Sequence, residues 1–404
     1  MDEKQILRPL NYLFIALFAV IPWSLALMQI FLGLICVYLL IAAAVNRKNY
    51  FRYHRFYLLP LVFLIMQFVA ALLSENIPIS INNFIHTFWV ILTIPFAASL
   101  PLRPLTRQNA INALIISASL LGLYAVIQFF TGINLTGPAE LSMLGNYYRA
   151  VGTYTHFLTL SGNQLMIFAF AFIFAMQEEN VSKKGLYFAG ATLIALSIIA
   201  TQGRGSWLGV VTILTLATVL FYRKYLYKIL VIVGTLFITT MIILPDIRER
   251  FLNIFMIFSK YNLGRISLWQ SALLMIGDHP WFGIGPGLFE QMLDRYRVEG
   301  FYNATGHAHN DYLHVAVQSG LPSMLVWISI WILFFVYGSK YLRTTPTDRT
   351  DRMIVISAVL AIAGILTASL TQCYFFDMEN NILWWVIVAT TLQVIIQSDK
   401  NTNQ

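Results

Sequence analysis

His307, His309 and His314 fall within eight residues, in Gly306-His307-Ala308-His309-Asn310-Asp311-Tyr312-Leu313-His314, while the other four of the seven histidines are scattered. Asn310 has a side chain suited to a helix N-cap, whose oxygen accepts from the first free backbone N–H groups. A helix is therefore expected to start behind it, with His309 just ahead. The positive end of that helix opposes protonation of a nearby imidazole, which leaves His309 neutral and able to take a proton. The same helix end attracts anions. Proton transfer is the leading reading, with a structural or pH-related role as the alternative. His307, His309 and Asp311 alternate as zinc ligands can, but no second cluster of His, Cys or carboxylates in the neighbouring loops completes a site. No metal and no cofactor is expected.

Arg204 lies in Gly203-Arg204-Gly205, between two apolar runs and with no acid within twenty residues. Its glycine neighbours allow a sharp turn and the approach of a bulky group. A planar arginine fork suits phosphate and carboxylate oxygens, so an anion site is expected there, against snorkelling to lipid headgroups. Arg265 follows Asn262-Leu263-Gly264 and divides between the same two readings. Arg248, Arg250, Arg295 and Arg297 sit beside acids and read as salt-bridge partners. Gly283-Ile284-Gly285-Pro286-Gly287 follows no strand and lacks the Gly-Lys-Ser/Thr of a phosphate loop, so it is a turn. Neither a Ser-His-Asp arrangement nor an Asp-x-Asp pair is identifiable.

The elements that must hold these residues are set by composition. The 404 residues are 58% hydrophobic and 11% charged, with mean hydropathy +0.70. Soluble domains carry about a quarter charged residues, so a soluble enzyme, a secreted disulfide scaffold and a disordered chain are excluded. Apolar runs near 10–24, 28–45, 57–74, 84–100, 109–130, 154–176, 186–202, 206–222, 226–244, 312–337, 353–373 and 381–397 predict an all-α polytopic membrane protein of about twelve transmembrane helices. The whole chain, 1–404, reads as a single transmembrane domain. Cys36 and Cys373 read as small buried hydrophobes. The first run turns straight into the second at Ile21-Pro22-Trp23, a membrane hairpin and not a cleaved signal. With a cytoplasmic N-terminus, the inner segments hold 18 of the 26 bases and 7 of the 18 acids, as the positive-inside rule requires. The net charge of +8 is therefore an orientation signal, with no nucleic acid implied. On the outer side, 245–310 is expected to be a large, partly helical loop, which would be periplasmic in a bacterial inner membrane. Within it Ile266, Trp269, Leu273 and Ile276 recur at helical spacing, which suggests an amphipathic helix on the membrane surface, and 289–297 could form a second, short helix.

His309-Asn310, nine residues and then Gly320 resembles the signature of the bacterial O-antigen ligases, within the O-antigen ligase/polymerase membrane superfamily. Arg204-Gly205-Ser206-Trp207 and the stretch from Gly264-Arg265 through Trp269 to Asp278-His279-Pro280-Trp281-Phe282-Gly283-Ile284-Gly285 match as well. The resemblance spans roughly 190–325. After the glycine the ligase signature continues with two residues and then Gly, Thr or Tyr, where this chain has Ser323. The resemblance implies an inverting, metal-independent glycosyltransferase in the bacterial inner membrane, active on the periplasmic side. Its donor would be a polysaccharide on undecaprenyl diphosphate and its acceptor a sugar hydroxyl of lipid A–core oligosaccharide. It puts His309 in the place of the base and Arg204 and Arg265 on the diphosphate, with His307, Asn310 and Arg149 in supporting parts. A polymerase using the same donor is the near alternative. A transporter of lipid-linked glycans fits less well, because it would put charges in mid-membrane and leave the long outer loop unexplained.

Overall fold

The computed structural model describes residues 3–137, 140–252, 260–302, 306–344 and 348–402. Of the 245–310 segment, 253–259 and 303–305 thus lie outside the described residues. Among the described residues the protein is all-α apart from a hairpin of two-residue strands, Met143–Leu144 against Tyr147–Tyr148. In chain order the helices are α1 (Glu3–Val20), α2 (Leu25–Asn46), α3 (Leu58–Leu72), α4 (Ile77–Phe88), α5 (Ile94–Ser99), α6 (Pro104–Thr131), α7 (Phe157–Gln177) and α8 (Val181–Ala200). There follow α9 (Arg204–Leu220), α10 (Leu226–Ile243), α11 (Pro245–Leu252), α12 (Lys260–Asp278), α13 (Phe289–Leu293), α14 (Asp311–Arg343), α15 (Arg349–Ala368) and α16 (Met378–Thr402).

Among the described residues nine helices are long and apolar enough to cross a membrane. Two more of the twelve expected runs are shorter apolar helices, Leu7–Val20 and Arg204–Leu220, and the last coincides with α10. Burial sorts the spans into two layers. In α7 and α16, 94% and 89% of the apolar window is buried, against 28% in α2 and 33% in α8. The outer helices keep apolar side chains on both faces: α2 buries Met28, Leu32, Ile35 and Leu39 and exposes Ile30, Leu34, Val37 and Ile41. A helix apolar all round is the form required where the far side meets lipid. The centre is α7, α15 and α16, with α6, α8 and α9 packed around α7 and α15. A buried ion pair ties three of these helices together at the end away from the histidines. Arg107 of α6 donates through Nε and Nη2 to Asp351 of α15 at 2.8 and 2.6 Å, and through Nη1 to Gln397 of α16.

The segment α12–α14 has its own small core. Leu268, Ala272 and Met275 of α12 pack with Phe289 and Met292 of α13 and Val317 of α14. The apolar stripe expected to lie on the membrane surface is therefore split: Ile276 is buried in this core and Leu273 is exposed. The second expected helix is present but shorter, ending at Leu293. The turn through the glycines docks into a break in α14. Ile284 and Gly285 donate backbone N–H to Val317 and Gln318 carbonyls, and Leu321 N–H donates to Pro280 O. Gly320 makes the break possible, with φ +84 and ψ 167. A Cβ there would stand 2.2 Å from the Trp281 carbonyl oxygen. Gly320→Ala should therefore be strongly destabilising, since that backbone region alone costs about 1–3 kcal/mol for a residue with a Cβ. A clearly lowered unfolding temperature in detergent is the expected result, and an unchanged one would contradict this docking.

Within α6–α9 and α14–α16 successive helices alternate in direction, so the C-terminal ends of α6, α8 and α15 meet the N-terminal ends of α7, α9, α14 and α16. Gln128 near the end of α6 holds the chain before α7, accepting from Val151 and Gly152 N–H and donating to Gly152 O. Ala150 N–H bonds the Ala200 carbonyl at the end of α8. All the candidate residues lie at this end.

Candidate active site

Arg204 opens α9. Gly203 is the N-cap residue, and the reversal of the chain falls on Thr201-Gln202-Gly203, with Gln202 at φ +57. The tight turn is thus two residues earlier than Gly203-Arg204-Gly205, and Arg204 and Gly205 belong to the first helical turn. Ser206 Oγ closes the turn by donating to Gly203 O at 2.7 Å. Gly205 is required by packing: a Cβ would be 2.7 Å from Thr371 Oγ1 and 3.2 Å from Ala368 O at the end of α15. Arg204 therefore combines a guanidinium with the positive end of a helix, both of which favour an anion.

Arg265 stands in the second turn of α12, half-buried. Burial and then the Arg204 charge lower its pKa to about 10. It remains protonated at neutral pH, and an anion between the two guanidiniums would be favoured by both charges. Arg149 joins from the segment before α7. Its Nε donates to Thr201 O at 3.3 Å, and its guanidinium covers the Phe157 ring at 3.1 Å from the centroid. Arg295 and Arg297 are elsewhere, paired with Glu75 at 2.8 Å and Asp294 at 3.7 Å. The salt-bridge reading of these two holds, although the partner of Arg295 is on the loop before α4 and not its sequence neighbour.

Asn310 caps α14 as expected, its Oδ1 accepting from Leu313 N at 3.0 Å, while its Nδ2 donates to Leu370 O at 3.0 Å. His309 precedes it at φ +50. Its Nδ1 lies 2.5 Å from Gln372 Oε1. A carboxamide oxygen can only accept, so Nδ1 carries the proton and Nε2 is left with a free lone pair. Burial and the Arg265 charge lower the His309 pKa to about 4, although the Gln372 bond raises it. The ring is therefore neutral at physiological pH. His307 is also held neutral, chiefly by burial; its Nδ1 accepts from His309 N at 3.2 Å and its ring is 4.3 Å from that of His309. His314 lies deeper, its Nε2 3.0 Å from Gln318 Nε2.

Asp311 alternates with the histidines in sequence but turns away from them. Its carboxylate accepts from Tyr374 N and Phe375 N at 3.0 and 3.1 Å, and its own N–H donates to Ser369 O at 3.0 Å. It clamps the α15–α16 connection against the start of α14, which is what delivers Gln372 to His309. Among the described residues no three His, Cys, Asp or Glu side chains are grouped to hold a metal.

Sequence reasoning missed this connection. The apolar run 353–373 predicts a helix continuing to Cys373, but α15 stops at Ala368 and residues 369–377 are non-helical. The polar Ser369, Thr371 and Gln372 were the available signal. Besides Gln372 the connection supplies Tyr374, whose hydroxyl is 3.2 Å from Ser161 Oγ of α7 and whose phenol burial pushes up to about 12. It also supplies Asp377, which accepts from Thr159 and whose carboxyl is raised by burial and by Glu379. Because Gln372 sets the His309 tautomer, Gln372→Glu should raise the His309 pKa above about 4 by placing an anion on Nδ1. An NMR titration of the imidazole checks this, and an unmoved or lowered pKa would contradict the contact.

Residues 189–328, from α8 into α14, match the family model described as O-antigen ligase. An O-antigen ligase of Pseudomonas aeruginosa is 26% identical over 136 residues, which cover 33% of this chain and 31% of that protein. An uncharacterized protein of Haemophilus influenzae is 24% identical over 319 residues, covering 73% of this chain and 75% of that one. The matched family segment contains Arg204, Arg265, His307, His309, Asn310 and the glycines of the docked turn. Arg149, His156 and Gln372 lie outside it.

Proposed function

We propose that this chain, which carries an O-antigen ligase family segment over residues 189–328, is a membrane glycosyltransferase. It transfers polysaccharide from undecaprenyl diphosphate to a sugar hydroxyl of lipid A–core oligosaccharide, completing lipopolysaccharide. The observation that carries the reading is the convergence of Arg204, Arg265 and His309. These come from α9, α12 and the start of α14, and meet at one end of a bundle of apolar helices.

The chemistry follows from that arrangement. The donor's diphosphate lies between Arg204 and Arg265 at the α9 N-terminus, relieving the repulsion between the two guanidiniums. The acceptor hydroxyl bonds His309 Nε2. As its oxygen attacks the anomeric carbon, the proton passes to Nε2 and the bond from that carbon to the diphosphate oxygen breaks. Charge then builds on the leaving lipid diphosphate, where fixed cationic donors lower the barrier. Attack opposite the leaving group inverts the anomeric centre. Nε2 afterwards returns its proton to water. The arginines supply the charge a divalent ion would otherwise bring, so the reaction proceeds without metal or cofactor. In this account the chain is a single domain in the inner membrane, its termini are cytoplasmic and the 245–310 loop and the site face the periplasm.

Removing the chain from cells that make O-antigen distinguishes ligase from polymerase. A ligase's loss leaves long polysaccharide on the lipid diphosphate and lipid A–core without sugar repeats. Lipid A–core bearing a single repeat would show that ligation continues and that polymerisation was lost, contrary to the proposal.

A further inference from the structure

A fourth histidine faces the same cluster from a different element. His156 is the N-cap residue of α7, its Nδ1 accepting from Leu158 N at 3.2 Å. Histidine is a poor choice if capping is all that is needed, since Asn, Asp and Ser cap better. What it adds is the second ring nitrogen. With Nδ1 used as an acceptor, the neutral ring must carry its proton on Nε2, as a donor. This is the opposite tautomer to His309, whose Nδ1–H is spent on Gln372 and whose Nε2 is the acceptor.

The surroundings of His156 are those of an anion site. The ring reaches solvent, and burial of its inner edge and then the Arg149 charge lower its pKa to about 4. It is near enough to His307 and His309 for its charge to act on both. Its ring leans on that of Phe157, 4.2 Å between centroids, and the Arg149 guanidinium lies over the same Phe157. Arg149 in turn is fixed to Thr201, three residues before Arg204. A donor N–H, a guanidinium and the amino end of a 21-residue helix are thus held together beside the diphosphate site.

We infer that His156 is a further substrate-contacting residue, donating a hydrogen bond from Nε2 to an oxygen of the donor's diphosphate, with Arg149 beside it. This rests on the reading of Arg204 and Arg265 as a diphosphate site. The site then holds two imidazoles in opposite roles, His309 accepting a proton and His156 donating a hydrogen bond. The leaving diphosphate gains charge as its bond to sugar breaks, so this hydrogen bond strengthens along the reaction.

The test is binding of undecaprenyl diphosphate to the purified full-length chain in nanodiscs, with His156→Asn and His156→Ala compared to the unaltered protein. Asparagine keeps the cap acceptor but is too short to return the Nε2 donor. Both variants should bind roughly ten- to a hundred-fold more weakly, the worth of a hydrogen bond to a charged group, with the unfolding temperature of His156→Asn unchanged. Affinity restored in His156→Asn and lost in His156→Ala would show a cap alone and overturn the inference. Equal affinity in all three would overturn it as well. Should His156→Asn unfold, His156→Ser, which also keeps a cap acceptor and is too short to return the Nε2 donor, gives the same decision. Failure of the unaltered protein to bind undecaprenyl diphosphate would instead overturn the diphosphate site itself, and the inference with it.

Discussion

Replacing His309 with alanine should slow transfer by about 10²–10⁴-fold, the usual contribution of a positioned general base, while binding of the lipid-linked donor is kept. The variant loses Nε2 and nothing that touches the diphosphate. Asn310 still caps α14 and Asp311 still clamps the connection at Tyr374 and Phe375, so the fold should survive. His307→Ala should cost less, because His307 only orients the backbone of His309, and His314→Ala less again. The acid limb of the kcat/KM profile belongs to the free enzyme. Activity should therefore persist well below the ordinary histidine value of 6.5 and fall as pH drops through about 4, when Nε2 is occupied by a proton. Gel analysis of the transferred polysaccharide across pH gives both results. Full activity in His309→Ala would remove the base from the account.

Arg204→Lys should lose about 10²–10³ in rate, as removal of a fixed donor to developing charge does elsewhere. Lysine keeps the charge at the α9 N-terminus but gives up the fork, and a single ammonium cannot bridge two oxygens in a fixed plane. Arg265→Ala should be at least as damaging. Since the two guanidiniums grip one diphosphate, the double variant should be little worse than the worse single, as for groups that act as a unit. Fully multiplicative losses would place the two on separate anions. Near-normal transfer by Arg204→Lys would make Arg204 a lipid-headgroup anchor. Either variant is measured by transfer rate at saturating acceptor, with donor binding followed separately.

Local features of this site were legible in the sequence, and those built by distant contacts were not. The Asn310 cap and the position of His309 depend on four or five neighbouring residues, and both stand where they were expected. Arg204 was found by its glycines, although the glycines serve different ends from those assumed. Gly203 caps the helix and Gly205 admits the end of α15, so neither forms a turn around Arg204 itself. The tautomer of His309 was out of reach because it is set by Gln372, 63 residues away. Nothing in the run 353–373 announces that α15 ends at Ala368, except three polar residues that a hydropathy window averages away. The stripe Ile266, Trp269, Leu273 and Ile276 predicts a helix correctly but not its packing, because periodicity reports an apolar face without saying what covers it. Here α13 and α14 cover the face of α12 that carries Leu268, Ala272, Met275 and Ile276, and Leu273 stays exposed.

The central claim is that one chain, using arginines on the diphosphate and a neutral histidine on the acceptor, moves polysaccharide from lipid diphosphate to lipid A–core. Its most direct test uses purified protein in detergent with lipid-linked O-antigen, lipid A–core and a chelator, read as ladder-like lipopolysaccharide on a gel. The account predicts the ladder, with one undecaprenyl diphosphate released for each chain transferred and an inverted anomeric linkage in the product. Loss of the ladder on chelation and its return with zinc or magnesium would contradict it.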